Sequence, residues 1–366
     1  MLSFGFFEIL LSFILVLTPI VFIHELGHFW VARKTGVIVD VFSVGFGKEI
    51  FGWTDTHGTR WRFAWIPLGG YVKMRGDENI TSGGSSNARI LEGSFSNAPL
   101  LSRIAIVSAG PIANFILAFI LFVALYIGAG KLFIPPMIGE VLPNSVAERS
   151  GLKSNDVVLK INQKKVSDFN DFRVFVFESP GKPIKLQIDR SGTILEIVAT
   201  PKSIYLEELD IYAGQLGIRS PVGEFRKLGI LEAMNESSRE CWSITVGMIR
   251  GISRIISGDA QMGEIGGPIR IAQFSRDAAL QGLTSLVFFV ALISINLGLV
   301  NLMPIPALDG GHLVFFIIEG IIGKPLPDSW QNFLLRGGIA FLLSLMLFVT
   351  DRKSTRLNSS HRCISY

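Results

Sequence analysis

The chain has 366 residues, of which 49% are hydrophobic and 17% charged; a soluble domain carries about 25% charged residues, so this balance points to a membrane protein. The formal charge of +4 comes from dispersed basic residues, and no Lys/Arg cluster interleaved with aromatics offers a nucleic-acid surface. Two cysteines, Cys241 and Cys363, exclude a disulfide framework and a cysteine-based zinc site, so any metal must be held by His and carboxylate.

In chain order, the first apolar run extends from about 9 to 32 and contains one charge, Glu25. It is long enough to span a bilayer, which takes about 20 apolar residues, and it lacks the basic start of a signal peptide. Within it lies His24-Glu25-Leu26-Gly27-His28. Histidines four apart share one helix face and can reach one ion, while Glu25 stands beside them as a general base for an activated water. Three ionisable groups at membrane depth are costly unless paired or liganded, which makes the motif more telling here than in a soluble helix. The plainer alternative is a helix end where polar residues meet the cytoplasm.

Arg33 and Lys34 follow this run at once, and Arg103 precedes the next. The positive-inside rule therefore places residues 33–103 in the cytoplasm and the N-terminus outside. In this segment Arg60–Met74 alternates aromatic and polar residues around Pro67-Leu68-Gly69-Gly70, which predicts a hairpin, and Asp77–Ser96 reads as a loop. The second apolar run, about 104 to 130, exports the region that follows. Asn114, in Ala109-Gly-Pro-Ile-Ala-Asn114, reads as a packing polar group.

The exported region opens with a compact mixed domain, residues 131–222. Strands are predicted at 138–141, 157–162, 184–189 and 195–199, with helices at 145–150 and 168–178. Residues 223–277 read as an amphipathic, membrane-associated helical segment, clearest from Cys241 to Ile256.

The third apolar run, about 278 to 308, returns inward, and Lys324 and Arg336 mark a short cytoplasmic loop after it. It ends in Asn301-Leu-Met-Pro-Ile-Pro-Ala-Leu-Asp309-Gly-Gly-His312. Pro304 and Pro306 preclude a regular helix there, and non-helical backbone is tolerated at membrane depth only where it lines a protein or water cavity. Two histidines leave a hydrolytic zinc one protein ligand short. Asp309 is the better third candidate; His312 reads as structural, or as supporting the ligands. Asp309 could also be a solvated helix terminus. Asn301 could hydrogen-bond a substrate carbonyl, or bridge two helices. A fourth run, about 333 to 350, is marginal. From Asp351 the sequence matches the translation of a common sequencing adapter, so residues 351–366 are expected to be an artefact and the authentic reading to end near Thr350.

Together, His24-Glu-Leu-Gly-His28, Gly45-Phe-Gly47, Ala109-Gly-Pro-Ile-Ala-Asn114 and the 301–312 run resemble the site-2 protease family across residues 1–350. The resemblance implies a polytopic α-helical membrane protein of about four transmembrane helices. It implies an N-terminal core (1–130), an inserted exported domain and a C-terminal core (278–350), in a bacterial inner membrane with the active site near the cytoplasmic side. It implies Zn2+ held by His24, His28 and Asp309, with Glu25 as catalytic base and Asn301 at the substrate near the scissile bond. The exported domain resembles a single PDZ domain in the permuted order of bacterial proteases, with Gln215-Leu-Gly-Ile218 as its carboxylate-loop strand.

The family's substrates are single-span membrane proteins such as anti-sigma factors, cut after an upstream site-1 protease has acted. A membrane helix must unwind before its peptide bonds are reachable. The 60–74 hairpin could take the unwound segment as an added strand, which marks Gly69, Gly70 and Tyr71 as substrate-binding residues. Rival readings are a membrane-anchored PDZ adaptor with a silent site, a transporter, and a peptidase clearing small membrane peptides.

Overall fold

The computed structural model describes residues 2–76, 92–206, 211–257, 268–327, 329–331, 333–340 and 344. The tail from Asp351, most of the loop expected at 77–96, and all of the fourth run beyond 340 except residue 344 lie outside them. The chain divides into two compact units: residues 1–124, 234–249 and 265–366 form one, and residues 125–233 and 250–264 the other.

In the first unit, helix α1 (Leu2–Lys34) runs through the HExxH motif and closes on Arg33 and Lys34, cations that suit the negative end of the helix dipole. Helix α2 is Leu100–Gly128. Among the described residues, three helices are long and apolar enough to cross a membrane: Phe7–Lys34, Leu100–Gly128 and Leu283–Leu302. On α2, Ile112, Ile116 and Ile120 repeat every fourth residue and stay half-exposed, a stripe suited to lipid.

Between α1 and α2 the chain forms β1 (Val39–Thr54) and β2 (Arg60–Met74), an antiparallel pair. This corrects the expected hairpin. Its turn is Asp55–Thr59, not Pro67–Gly70, and residues 60–74 are one strand of it. Beyond the turn, Phe42, Ser43 and Val44 lie between Val72, Tyr71 and Gly70 on one side and Trp61, Arg62 and Phe63 on the other. Pro67–Gly69 fall where the register slips, between Ile66 opposite Phe46 and Gly70 opposite Val44; a proline is tolerated in a strand at such an irregularity. β1 went unread because its glycines look like loop. Gly45 has φ +86°, an irregular step that a side chain would resist.

The strands dock on α1. Phe29, Phe42 and Trp61 form a ring cluster, with Phe42 and Trp61 stacked at 4.4 Å. The Asp55 carboxylate accepts from the backbone N–H groups of His57 (2.9 Å) and Thr59 (3.1 Å), from Trp61 Nε1 (3.0 Å) and from Arg33 at the end of α1. Further up α1, Thr18 Oγ1 donates to the Pro67 carbonyl at 2.8 Å.

The C-terminal part differs from expectation in two places. The run at 278–308 is not one helix. Helix α5 is Ile230–Ser257, α6 is Pro268–Leu280, and α7 starts only at Leu283 after Gly282. It stops at Leu302, where the Pro304 and Pro306 segment begins. The loop expected after it begins instead as helix α8 (Asp309–Ile322), closed by the left-handed Gly323. Its 14 residues are too short to signal a span, and charge flanks alone cannot tell such a helix from a loop.

The second unit is a separate mixed fold. A four-stranded antiparallel sheet has the order β6 (Lys164–Lys165), β5 (Val157–Ile161), β7 (Ile184–Arg190), β8 (Thr193–Ala199). Short pairs join β3 (Lys131–Phe133) to β12 (Glu224–Arg226), β4 (Glu140–Val141) to β11 (Ile218–Arg219), and β9 (Lys202–Leu206) to β10 (Ile211–Gln215). Ser145 caps α3 (Val146–Arg149), and Asp168 caps α4 (Phe169–Phe177). Asp168 accepts from the Asp171 N–H while the Asp171 carboxylate accepts from the Ser167 N–H, so free donors at the helix start are satisfied on both sides. Ile138, Val158, Ile161, Phe172, Leu186 and Ile188 lie at the centre of its core.

Candidate metal centre

Helical spacing sets His24 and His28 on one face of α1, both buried. The turn after α7 brings Asp309 to them. His24 Nε2 and His28 Nε2 lie 3.1 and 3.5 Å from Asp309 Oδ2 and 3.2 Å from each other. Among the described residues these three form the one group of His, Cys, Asp or Glu donors placed to hold a metal. His312 is half-buried beside Phe315 and outside this group, and His57 sits in the exposed β1–β2 turn.

The donor chemistry fits a cation. His28 Nδ1–H donates to the Ile106 carbonyl at 2.8 Å, which leaves its Nε2 as a lone pair. Asp309 Oδ2 is buried and has no hydrogen-bond donor. Lone pairs this close repel unless a positive charge lies among them. Zinc binds nitrogen and oxygen at about 2.0–2.2 Å, so a tetrahedral site has ligand–ligand edges of about 3.3 Å. The observed edges of 3.1, 3.2 and 3.5 Å bracket that value.

Helix α2 backs both imidazoles. Besides Ile106, it supplies Asn114, fully buried, whose side-chain amide lies 3.1 Å from His24 Nδ1 while its Oδ1 has no donor. The two ends of an amide are interchangeable by a flip. With Oδ1 turned toward the ring it accepts Nδ1–H and leaves His24 Nε2 free for a metal, the usual arrangement behind a metal-binding histidine. Gly110 is the other contribution, since a Cβ there would overlap both histidine rings. Sequence reasoning read Asn114 as packing. The available signal was a lone amide in an otherwise apolar span, which needs a partner.

Asn301, on the last turn of α7, places Nδ2 3.3 Å from His24 Nε2, beside the ligands. Glu25 lies next to β2: a Cβ on Gly70 would stand 3.5 Å from Glu25 Cγ. Of the other two predicted residues, Gly69 packs against the Phe46 ring, and Tyr71 stacks on Phe46 at 6.1 Å with the Arg62 guanidinium 5.1 Å from its ring. The site thus joins α1, α2, the end of α7, the start of α8 and β2.

The sequence model described as Peptidase family M50 matches residues 12–345. A "putative zinc metalloprotease" of Rhizobium meliloti is 39% identical over 354 residues, 92% of this chain and 94% of that protein. A second protein so named, from Agrobacterium fabrum, is 40% identical over 356 residues, 93% and 94% of the two chains. "Metalloprotease MmpA" of Caulobacter vibrioides is 34% identical over 376 residues, 94% of each. A match this long, on a fold that gathers two histidines and an aspartate from distant helices, leads to one conclusion: the chain belongs to peptidase family M50, as a metalloprotease.

Proposed function

We propose that this metalloprotease is an intramembrane zinc protease of the site-2 type, cutting single-span membrane proteins of the anti-sigma-factor kind after an upstream protease has trimmed them. The observation that carries the reading is the convergence of His24, His28 and Asp309 on one point, on a helix long enough to cross a bilayer.

His24, His28 and Asp309 would hold the zinc. Bound there, zinc supplies Lewis acidity, lowering the pKa of a water and polarising the scissile carbonyl. Glu25 accepts the proton as that water's oxygen attacks the carbonyl carbon. It then passes the proton to the leaving nitrogen as the C–N bond breaks, giving a carboxylic acid and an amine. The Asn301 amide donates to the carbonyl oxygen as charge develops on it. The Gly70–Val72 stretch of β2 receives the unwound segment as an added strand beside Glu25, and the bare Gly70 allows that approach.

The second unit serves as a single PDZ domain. What supports this reading is the pairing of Ile218–Arg219 with Glu140–Val141, a strand pair that directly follows the Gln215-Leu-Gly-Ile218 run. In this reading the chain lies in a bacterial inner membrane, with its N-terminus and PDZ domain periplasmic and the zinc site toward the cytoplasm.

The test is cleavage of a model transmembrane substrate by detergent-solubilised protein, with metal content measured alongside. Glu25→Gln should keep its zinc and lose at least about a hundredfold in rate, the scale of general-base catalysis. Asp309→Ala should lose both. Undiminished cleavage by Glu25→Gln would sink the reading.

A further inference from the structure

Helix α8 carries Asp309 at its first residue and Glu319 near its other end. Arg103, in the first turn of α2, grips Glu319 with both arms of its guanidinium: Nη1 to Oε2 at 3.1 Å and Nη2 to Oε1 at 2.5 Å. Its Nε donates to the Ala98 carbonyl at 3.1 Å, and its guanidinium carbon lies 5.0 Å from the centroid of the Phe316 ring. The two charged side chains are only 14% and 17% exposed, so water screens the pair weakly. Beneath them, Phe316 packs in the same core cluster as Ile106 and Val107 of α2.

Helix α2 orients both imidazoles, through Ile106 and Asn114. Helix α8 delivers the third ligand. Asp309 Oδ2 has no hydrogen bond of its own, so the placement of α8 decides where that oxygen sits. We propose that Arg103 and Glu319 are a positioning pair that holds α8 in register against α2 and thereby sets the affinity for zinc. This rests on the zinc-site reading above.

The lever arm makes the effect large. Ten residues of helix separate Glu319 from Asp309, about 15 Å. A tilt of about 5° about the far end displaces the carboxylate by about 1.3 Å, whereas metal–ligand distances tolerate only about 0.2 Å. A bidentate Arg–carboxylate pair fixes direction as well as distance, which a single-point lysine contact does not.

The experiment measures zinc affinity by chelator competition on the full-length protein in detergent, with helix content followed by circular dichroism. Arg103→Gln and Glu319→Gln should each weaken zinc binding at least tenfold at unchanged helix content. The double variant should be no weaker than Arg103→Gln alone, because Glu319 acts on α2 through Arg103. Arg103→Lys should fall between wild type and Arg103→Gln, and it keeps the test usable if the glutamine variants do not fold. Unchanged affinity in the single variants, or additive losses in the double one, would overturn the inference while leaving the site reading intact. Wild type and Asp309→Ala run alongside. If wild type takes up no zinc, or Asp309→Ala binds it as well, the site reading falls and the inference with it.

Discussion

Gly70 on β2 lies against Glu25 on α1. A Cβ added at Gly70 would stand 3.5 Å from Glu25 Cγ, 3.6 Å from Val21 Cγ1 and only 2.7 Å from the Ser43 carbonyl oxygen. The bare glycine therefore leaves a gap of about one methyl group between the strand and the proposed base, while its backbone packs tightly on the Ser43 carbonyl.

Filling that gap should separate substrate binding from metal binding. Gly70→Val would push β2 off Glu25 or crowd the cleft between them. It should lower kcat/KM for a transmembrane substrate by more than about tenfold, about 1.4 kcal/mol of lost transition-state binding. Zinc content should stay at the wild-type level. Metal analysis beside a gel-based cleavage assay reads both, and a variant with wild-type kcat/KM would mean that this strand is not where substrate lies.

Asn114 tests the support behind His24. Asn114→Leu removes the amide 3.1 Å from Nδ1 and frees that ring to rotate. Loss of such a partner typically costs 10–100-fold in metal affinity. Chelator competition should show a fall of that size, and unchanged affinity would reduce Asn114 to a packing group.

Gly110→Ala should be harsher than its size suggests. The added methyl would overlap His28 Nε2 and Cε1, so the rings must leave the positions from which they reach Asp309. The expected outcome is loss of stoichiometric zinc with helix content retained. Full zinc occupancy in this variant would show that α2 can retreat from α1 at little cost.

The Asp55 turn gives a pH prediction. Burial raises this carboxyl's pKa, but hydrogen bonds from Trp61, Arg33 and the His57 and Thr59 backbone outweigh it and hold the pKa at about 2, against 3.8 for a free carboxyl. On acidification the unfolded chain takes up the proton first. Stability from Asp55 is thus fully present above about pH 4 and is lost as pH falls toward 2. Asp55→Asn should lower the melting temperature at pH 7, and the gap from wild type should close between pH 4 and 2. Melting curves across that window check it; a gap independent of pH would exclude the carboxylate charge as its cause.

How much of this was readable in advance follows from which interactions are local. The apolar runs, the four-residue spacing of His24 and His28, and the capped helices of the second unit depend on neighbours in the chain, and all are visible without coordinates. The β1–β2 pair was misread because its long strand carries glycines and its proline sits where the register slips. Neither α8 nor the Gly282 break separating α6 from α7 could be inferred from composition.

The sequence by itself therefore determined the membrane-helix character, the HExxH face and Asp309 as a candidate partner, because periodicity and the cost of charge in an apolar run act within a few turns. Only the tertiary structure decided which groups stand around that face. Ile106, Gly110 and Asn114 come from a helix about 80 residues away, Gly70 from a strand whose turn was misplaced, and Asp309 from a helix held at its far end by Arg103. Those placements come from packing between helices and strands far apart in the chain, and no local pattern encodes them.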